Sequence, residues 1–257
     1  MTTGAGGTLI VVGLGPGDPR HTTPAVTAAL AAATDLVGYG PYLDRVPVIR
    51  ADQIRHASDN RVELDRARLA LRLAAEGRRV VVVSGGDAGV FAMAAAVFEA
   101  IETGDAAWRG VDVRVEPGVT AMLAAAAAVG APLGGDFCAI SLSDNLKSWG
   151  TIASRLRAAA DGDFVIALYN PASKARPHQI GQALALLRDL KGGATVVVLV
   201  RAAGTDDVRT TVTSLADVDP AAVDMRTLVI VGARRTRIVA RSDGRPWVYT
   251  PRSEDAI

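Results

Sequence analysis

The chain has 257 residues, 49% of them apolar but only 4% aromatic, and a formal charge of +1. That length holds one large or two small domains with cores of Ala, Val, Leu and Ile, while so small a charge attracts no polyanion; nucleic acid is not an expected partner and any anion site must be local. The single cysteine, Cys138, excludes an internal disulfide, and His21, His56 and His178 are scattered without zinc-ligand spacing, so no resident metal is expected.

The first residues, M-T-T-G-A-G-G, lack the charged-then-apolar order of an export signal, and no stretch is apolar for the length of a membrane span. A cytoplasmic chain without a membrane partner is expected. Thr8 to Asp18, T-L-I-V-V-G-L-G-P-G-D, is a β-branched run entering a glycine/proline turn that ends in a carboxylate. This is how a buried strand delivers a loop to the edge of a site. It is not a dinucleotide fingerprint, because Asp18 stands where the third glycine belongs and Pro16 stiffens the loop. Asp35 has the spacing of a ribose-binding acid but precedes the second apolar run, and no Gly-Lys-Ser/Thr ending marks a phosphate loop. Gly13, Gly15 and Gly17 also match the short G-x-G-x-G of ordinary methyltransferases.

Further apolar runs at Leu36–Val37, Val80–Val83, Val111–Val115, Phe164–Leu168, Thr195–Val200 and Thr227–Val231 read as strands, several covered on both faces. Between them, Thr23-Pro24 supplies a cap and first-turn proline for Ala25–Ala32, and Val62–Glu76 stops at Gly77. Val90–Ile101, Thr120–Val129, Ile152–Ala160 and Gln179–Leu190 follow the same helical pattern. The alternation predicts an α/β architecture with mostly parallel sheet. After Val200 helices thin out and Thr210–Ser214, Ile238–Ala240 and Trp247–Tyr249 read as strands, so the second part has a mixed sheet. Pro117-Gly118, after a strand and before a helix, divides an expected N-terminal α/β domain (8–116) from a C-terminal one (117–250).

Ser84-Gly85-Gly86-Asp87-Ala88-Gly89-Val90-Phe91 follows a strand and opens a helix; Glu116-Pro117-Gly118-Val119-Thr120-Ala121, Leu168-Tyr169-Asn170-Pro171 and Val231-Gly232-Ala233 come later. In this order and spacing, from about Thr8 to Thr250, the chain resembles the tetrapyrrole methylases, which methylate porphyrin-like rings with S-adenosyl-L-methionine. The segments Val37 to Tyr42, Phe137 to Asn145 and Leu168 to Pro177 are similar to those members that methylate precorrin-3B at ring carbon 17 and contract the ring to precorrin-4. A cobalt-dependent counterpart acting on cobalt-factor III, and a sibling acting at another ring position, remain as alternatives. So does a donor-binding module without turnover.

The resemblance implies the two-domain class III S-adenosylmethionine methyltransferase fold, with the donor in the inter-domain cleft and released as S-adenosyl-L-homocysteine, and a homodimer. It carries donor binding to Gly85, Gly86, Asp87, Val90 and Phe91, to Thr120 and Ala121, and to Leu168, Tyr169 and Asn170. Arg234-Arg235 after the last motif is bulkier and more charged than a donor pocket favours. It turns the Gly13–Asp18 loop toward the tetrapyrrole, so Gly15, Pro16, Arg20, Tyr39, Lys174 and Arg176 are candidates for binding its carboxylates. Ring contraction moves protons, and Asp18, Ser141 and Asp144 are the candidate catalytic groups. Asp18 reads equally as a turn residue, the Ser141–Asn145 cluster equally as a helix cap, and Cys138 as packing.

Overall fold

A computed structural model describes residues 7–59, 62–173 and 176–253. They gather into two compact units, divided between Thr120 and Ala121.

The first unit is built on strands β1 (Thr8–Gly13), β2 (Asp35–Tyr39), β3 (Ile54–Ser58), β4 (Arg79–Ser84) and β5 (Asp112–Glu116). They form one sheet in the order β3-β2-β4-β1-β5, with every pairing parallel. Helices α1 (Pro24–Ala32), the single turn α2 (Gly40–Leu43), α3 (Glu63–Ala75) and α4 (Met93–Thr103) supply the crossovers. The continuous apolar strands are covered twice, as a parallel sheet requires. Leu9, Val11, Val37, Val80 and Val82 face α3 and α4, while Val12, Leu36, Val81 and Val83 face α1 and α2. Neighbouring strands β1 and β4 therefore send their next helices to opposite faces, which opens a crevice at their carboxyl ends. Thr23 caps α1 by accepting from the Val26 N–H, as its Thr-Pro pair predicts.

Two expectations here need correction. The edge strand β3, I-R-H-A-S, has too few apolar residues to stand out in the sequence, and it forms because β2 offers it a full parallel register. Helix α4 begins at Met93 rather than Val90, because Phe91 is held at φ +51° and the six residues before Met93 remain loop.

The second unit has the sheet order β10-β9-β11-β8-β7, from β7 (Phe137–Ser141), β8 (Val165–Tyr169), β9 (Val196–Arg201), β10 (Arg209–Ser214) and β11 (Thr227–Val231). Only β7 and β8 pair in parallel; the other pairings are antiparallel, so the sheet is mixed. Helices α6 (Trp149–Asp161) and α7 (Gln179–Lys191) pack on one face around Leu156, Ile166, Leu168 and Leu187. Helix α5 (Ala121–Val129) covers the other through Met122, Ala125 and Val129 against Val198, Val200 and Ile230. A small sheet of β6 (Gly130–Ala131), β12 (Arg237–Val239) and β13 (Trp247–Tyr249) closes the unit beside α5. Among the described residues no helix is long and apolar enough to cross a membrane, and no group of three or more His, Cys, Asp or Glu residues is placed to hold a metal ion.

Candidate functional site

In the first unit the site is assembled from backbone. The loops after β1 and β4 pair with each other: the Gly15 N–H donates to the Gly86 carbonyl at 3.0 Å, and the Gly86 N–H returns to the Gly15 carbonyl at 2.9 Å. A β-carbon at Gly13 would lie 2.5 Å from the Gly86 carbonyl, and one at Gly118 would lie 2.3 Å from it. Three loops thus meet at van der Waals limits that only glycine permits. Asp87 locks them together, its Oδ1 accepting from the Gly89 N–H at 2.8 Å and its Oδ2 from the Gly118 N–H at 3.0 Å.

Around this core lie aromatic rings. Phe91, in the left-handed region, keeps 51% of its surface exposed. A strained backbone that holds an apolar ring in water marks a functional loop more often than a packing need. Tyr39 and Tyr42 meet edge to face at 5.4 Å, and Tyr42 stands so close to Gly85 that a β-carbon there would meet its ring at 2.7 Å. These residues fit a sulfonium nucleoside donor: side-chain-free backbone for polar edges, and an exposed aromatic for the base.

Asp18 and Arg20 form a local pair. The carboxylate accepts from the Arg20 backbone at 2.8 Å and from its guanidinium at 2.6 Å. The side-chain and backbone bonds from Arg20 lower the Asp18 pKa to about 2. Asp18 is therefore an ionised turn cap near neutral pH, with no proton to supply and only weak basicity. Gly15, at φ +74°, turns the loop over His21. Sequence reasoning missed Arg45, whose Nη2 donates to the carbonyls of Leu14 (3.2 Å) and Gly15 (2.9 Å). Its position after a Gly-Pro turn gives no periodic signal.

In the second unit the parallel pair β7 and β8 delivers a second cluster. Asn170, at φ +50°, donates from Nδ2 to Ser141 Oγ at 2.9 Å, and the Ser143 N–H donates to the same oxygen at 3.3 Å. Ser141 is only 5% exposed. With both acceptor positions filled, its own O–H proton is the one it has left to give. Tyr169 accepts on its phenol oxygen from the Met122 N–H, at the open first turn of α5, at 3.0 Å. Leu168 is fully buried in the core, so its backbone alone is available to a ligand.

Asp144 accepts from Gln179 Nε2 at 3.0 Å and lies 3.8 Å from Arg176 Nε. Arg176 is largely covered and reaches the carbonyls of Leu142 (3.5 Å) and Asn170 (3.4 Å), bracing the two loops rather than lining a rim. Lys174 lies outside the described residues. The Ser141–Asn145 cluster does not cap α6; Ser148 does, accepting from the Thr151 N–H at 3.3 Å. Thr120 is buried and Ala121 opens α5. Arg234 is exposed, and its backbone N–H donates to Asp163. Burial raises the Cys138 thiol above its ordinary value, with Lys191 pulling weakly the other way, which leaves little thiolate for nucleophilic work.

The model of tetrapyrrole (corrin/porphyrin) methylases matches residues 8–219. A precorrin-3B C(17)-methyltransferase of a Sinorhizobium species is 59% identical over 96% of this chain and 96% of its own. A Salmonella typhimurium relative named "Probable cobalt-factor III C(17)-methyltransferase" is 40% identical over 95% of this chain and 98% of its own. The crystal structure of the methyltransferase CobJ superposes with a TM-score of 0.90 at 54% identity, covering 95% of this chain and all (100%) of that one.

Proposed function

The chain belongs to the tetrapyrrole methylase family, and on that premise we propose that it moves a methyl group from S-adenosyl-L-methionine to ring carbon 17 of precorrin-3B, with ring contraction to precorrin-4, in cobalamin biosynthesis. The observation that carries this is the 59% identity to a precorrin-3B C(17)-methyltransferase along nearly the whole of both chains. The cobalt-factor III relative is more distant at 40%, which favours the metal-free ring.

When bound, the donor supplies an activated methyl on a sulfonium, so the chain contributes mainly alignment. We assign its binding to Gly85, Gly86, Asp87, Val90 and Phe91 in the first unit, with Thr120, and to Ala121, the Leu168 backbone, Tyr169 and Asn170 in the second. The Gly13, Gly86 and Gly118 contacts keep that backbone rigid, and preorganised groups lose nothing to rearrangement during transfer. Gly15, Pro16, Arg20 and Tyr39, with Arg176 behind its loop, are assigned to the tetrapyrrole, and Lys174 is proposed with them. For contraction, Ser141 is the proton-holding group, since its hydroxyl accepts from Asn170 and Ser143 and keeps its proton to donate. Asp18 stays ionised beside Arg20 and acts as an electrostatic and turn-forming group. Asp144 orients Gln179 and Arg176. A homodimer working in the cytoplasm completes the proposal.

The test is anaerobic incubation with methyl-labelled S-adenosyl-L-methionine and precorrin-3B, followed by product mass and label position. One methyl at carbon 17 in a contracted ring is expected. Methylation at another carbon overturns the position, and transfer only to cobalt-factor III overturns the metal-free substrate.

A further inference from the structure

The partly or fully buried arginines of the first unit divide into two sets among the described residues. Arg50, Arg68 and Arg78 pair with Asp52, Asp65 and Asp35. Arg45, Arg55 and Arg66 have no carboxylate partner and donate only to neutral groups. Arg55 holds the carbonyls of Leu43 (2.9 Å), Val46 (2.8 Å) and Pro47 (3.0 Å). Arg66, 5% exposed, is met by Ser58 Oγ at 2.8 Å, Met93 Sδ at 3.2 Å and the Asp59 carbonyl at 2.7 Å. A buried guanidinium without an anion is costly unless something else neutralises it.

Arg45 differs from the other two in having capacity left. Only its Nη2 is engaged, with Leu14 and Gly15, while Nε and Nη1 have no acceptor among the described residues. It lies against the glycine loop at the carboxyl end of β1, on the same Gly15 carbonyl that accepts from the Gly86 N–H. The same loop holds a second unmet polar atom, the buried Nδ1 of His21. Burial lowers the pKa of both Arg45 and Arg66; the Glu63 carboxylate offsets this in part for Arg66, whereas no carboxylate among the described residues acts on Arg45.

We propose that Arg45 binds a side-chain carboxylate of the tetrapyrrole through its unengaged Nε and Nη1 donors. With Nη2 held by the Leu14 and Gly15 carbonyls, a carboxylate there takes a single charge-assisted bond from Nε or Nη1, stronger than a neutral one. This rests on the tetrapyrrole reading for the source of the carboxylate.

Arg45→Leu and Arg45→Lys test it with three readouts: the KM for precorrin-3B, the Kd of S-adenosyl-L-homocysteine by calorimetry, and quenching of uroporphyrin III fluorescence. Arg45→Leu is expected to raise KM and the uroporphyrin Kd about tenfold or more, with the S-adenosyl-L-homocysteine Kd unchanged; Arg45→Lys, which keeps the charge but not the planar guanidinium, falls between. Unchanged KM and quenching overturn the proposal, as does equal loss of all three ligands, which means that Arg45 only supports the Gly15 loop. If the wild-type chain does not methylate precorrin-3B, the functional reading fails separately, and uroporphyrin binding then decides: no binding by wild type, or equal binding by Arg45→Leu, overturns the assignment.

Discussion

Asp87 holds Gly118 in place, accepting its N–H at 3.0 Å while the other carboxylate oxygen accepts from Gly89 at 2.8 Å. One side chain thus fixes the loop after β4 against the loop after β5. Asn in its place has a single oxygen, so one N–H loses its acceptor and faces an NH₂ group. We expect Asp87→Asn to weaken S-adenosyl-L-homocysteine binding about tenfold or more while the circular dichroism of the fold is retained. Unchanged affinity in a calorimetric titration would remove this loop from the donor site.

Gly85 is reserved by an aromatic ring. A β-carbon there would meet Tyr42 Cζ at 2.7 Å, so Gly85→Ala must push Tyr42 away from Tyr39 or shift β4. Overpacking of this kind costs about 1–3 kcal/mol. The cost should shrink when Tyr42→Ala is added, because the two residues are in direct contact and their effects are coupled. Thermal unfolding of the two single variants and the double variant measures this; strict additivity would mean that the ring is not the obstacle.

Asp35 lies at the other end of the same sheet, where β2 begins. It is fully buried and receives bonds at 2.8 Å from Thr34, His56 and Arg78. Burial alone would raise its pKa, but these donors outweigh it and hold the carboxylate below its ordinary value. A depressed pKa in the folded state adds stability above the unfolded carboxylate pKa of about 4, and that contribution is lost as pH falls through the folded value. Unfolding midpoints should therefore drop on acidification below about pH 4. Asp35→Asn should flatten that dependence and cost about 1–3 kcal/mol near neutral pH by weakening the bonds that Thr34, His56 and Arg78 make to a buried carboxylate. A variant that keeps the wild-type acid slope would show that another carboxylate governs it.

What the sequence reveals and what it hides follow from one physical difference. Apolar runs such as Val80–Val83 and Thr227–Val231 announce strands because burial on two faces demands them. The glycine loops announce themselves because close backbone approach excludes every other residue, and the contacts at Gly13 and Gly118 are that requirement in three dimensions. Strand β3 was not legible, since its residues are half polar and its place is set by its neighbour β2. Charged groups were the least legible. Arg176 reads as a carboxylate-binding or surface charge, yet it braces two loops, while Asp18 closes its own turn as one of its two readings had it. Arg45 carries no periodic or motif signal at all, and its meaning arises only from which carbonyls it reaches and which carboxylates it does not.

Asn170 and Ser141 allow structural and chemical roles to be separated. Asn170 sits at φ +50°, a region Asn tolerates better than most side chains, and its amide donates to the Ser141 hydroxyl at 2.9 Å. Asn170→Ala loses both the bond and the backbone tolerance and should cost about 1–3 kcal/mol. Asn170→Gly loses only the bond and should cost less. Ser141→Ala breaks the same bond from the other side and also leaves the Ser143 N–H without its acceptor, so its stability loss should be at least that of Asn170→Gly. It also deletes the buried Ser141 hydroxyl, whose two acceptor positions are filled and whose proton is left to give. At saturating donor, turnover of precorrin-3B should then fall at least about tenfold more in Ser141→Ala than in Asn170→Gly, within the range expected for removing a proton donor, whereas donor affinity should weaken in Asn170→Gly and not in Ser141→Ala. Equal turnover in the two variants would reduce Ser141 to a loop support and assign the proton movements of ring contraction to the substrate itself.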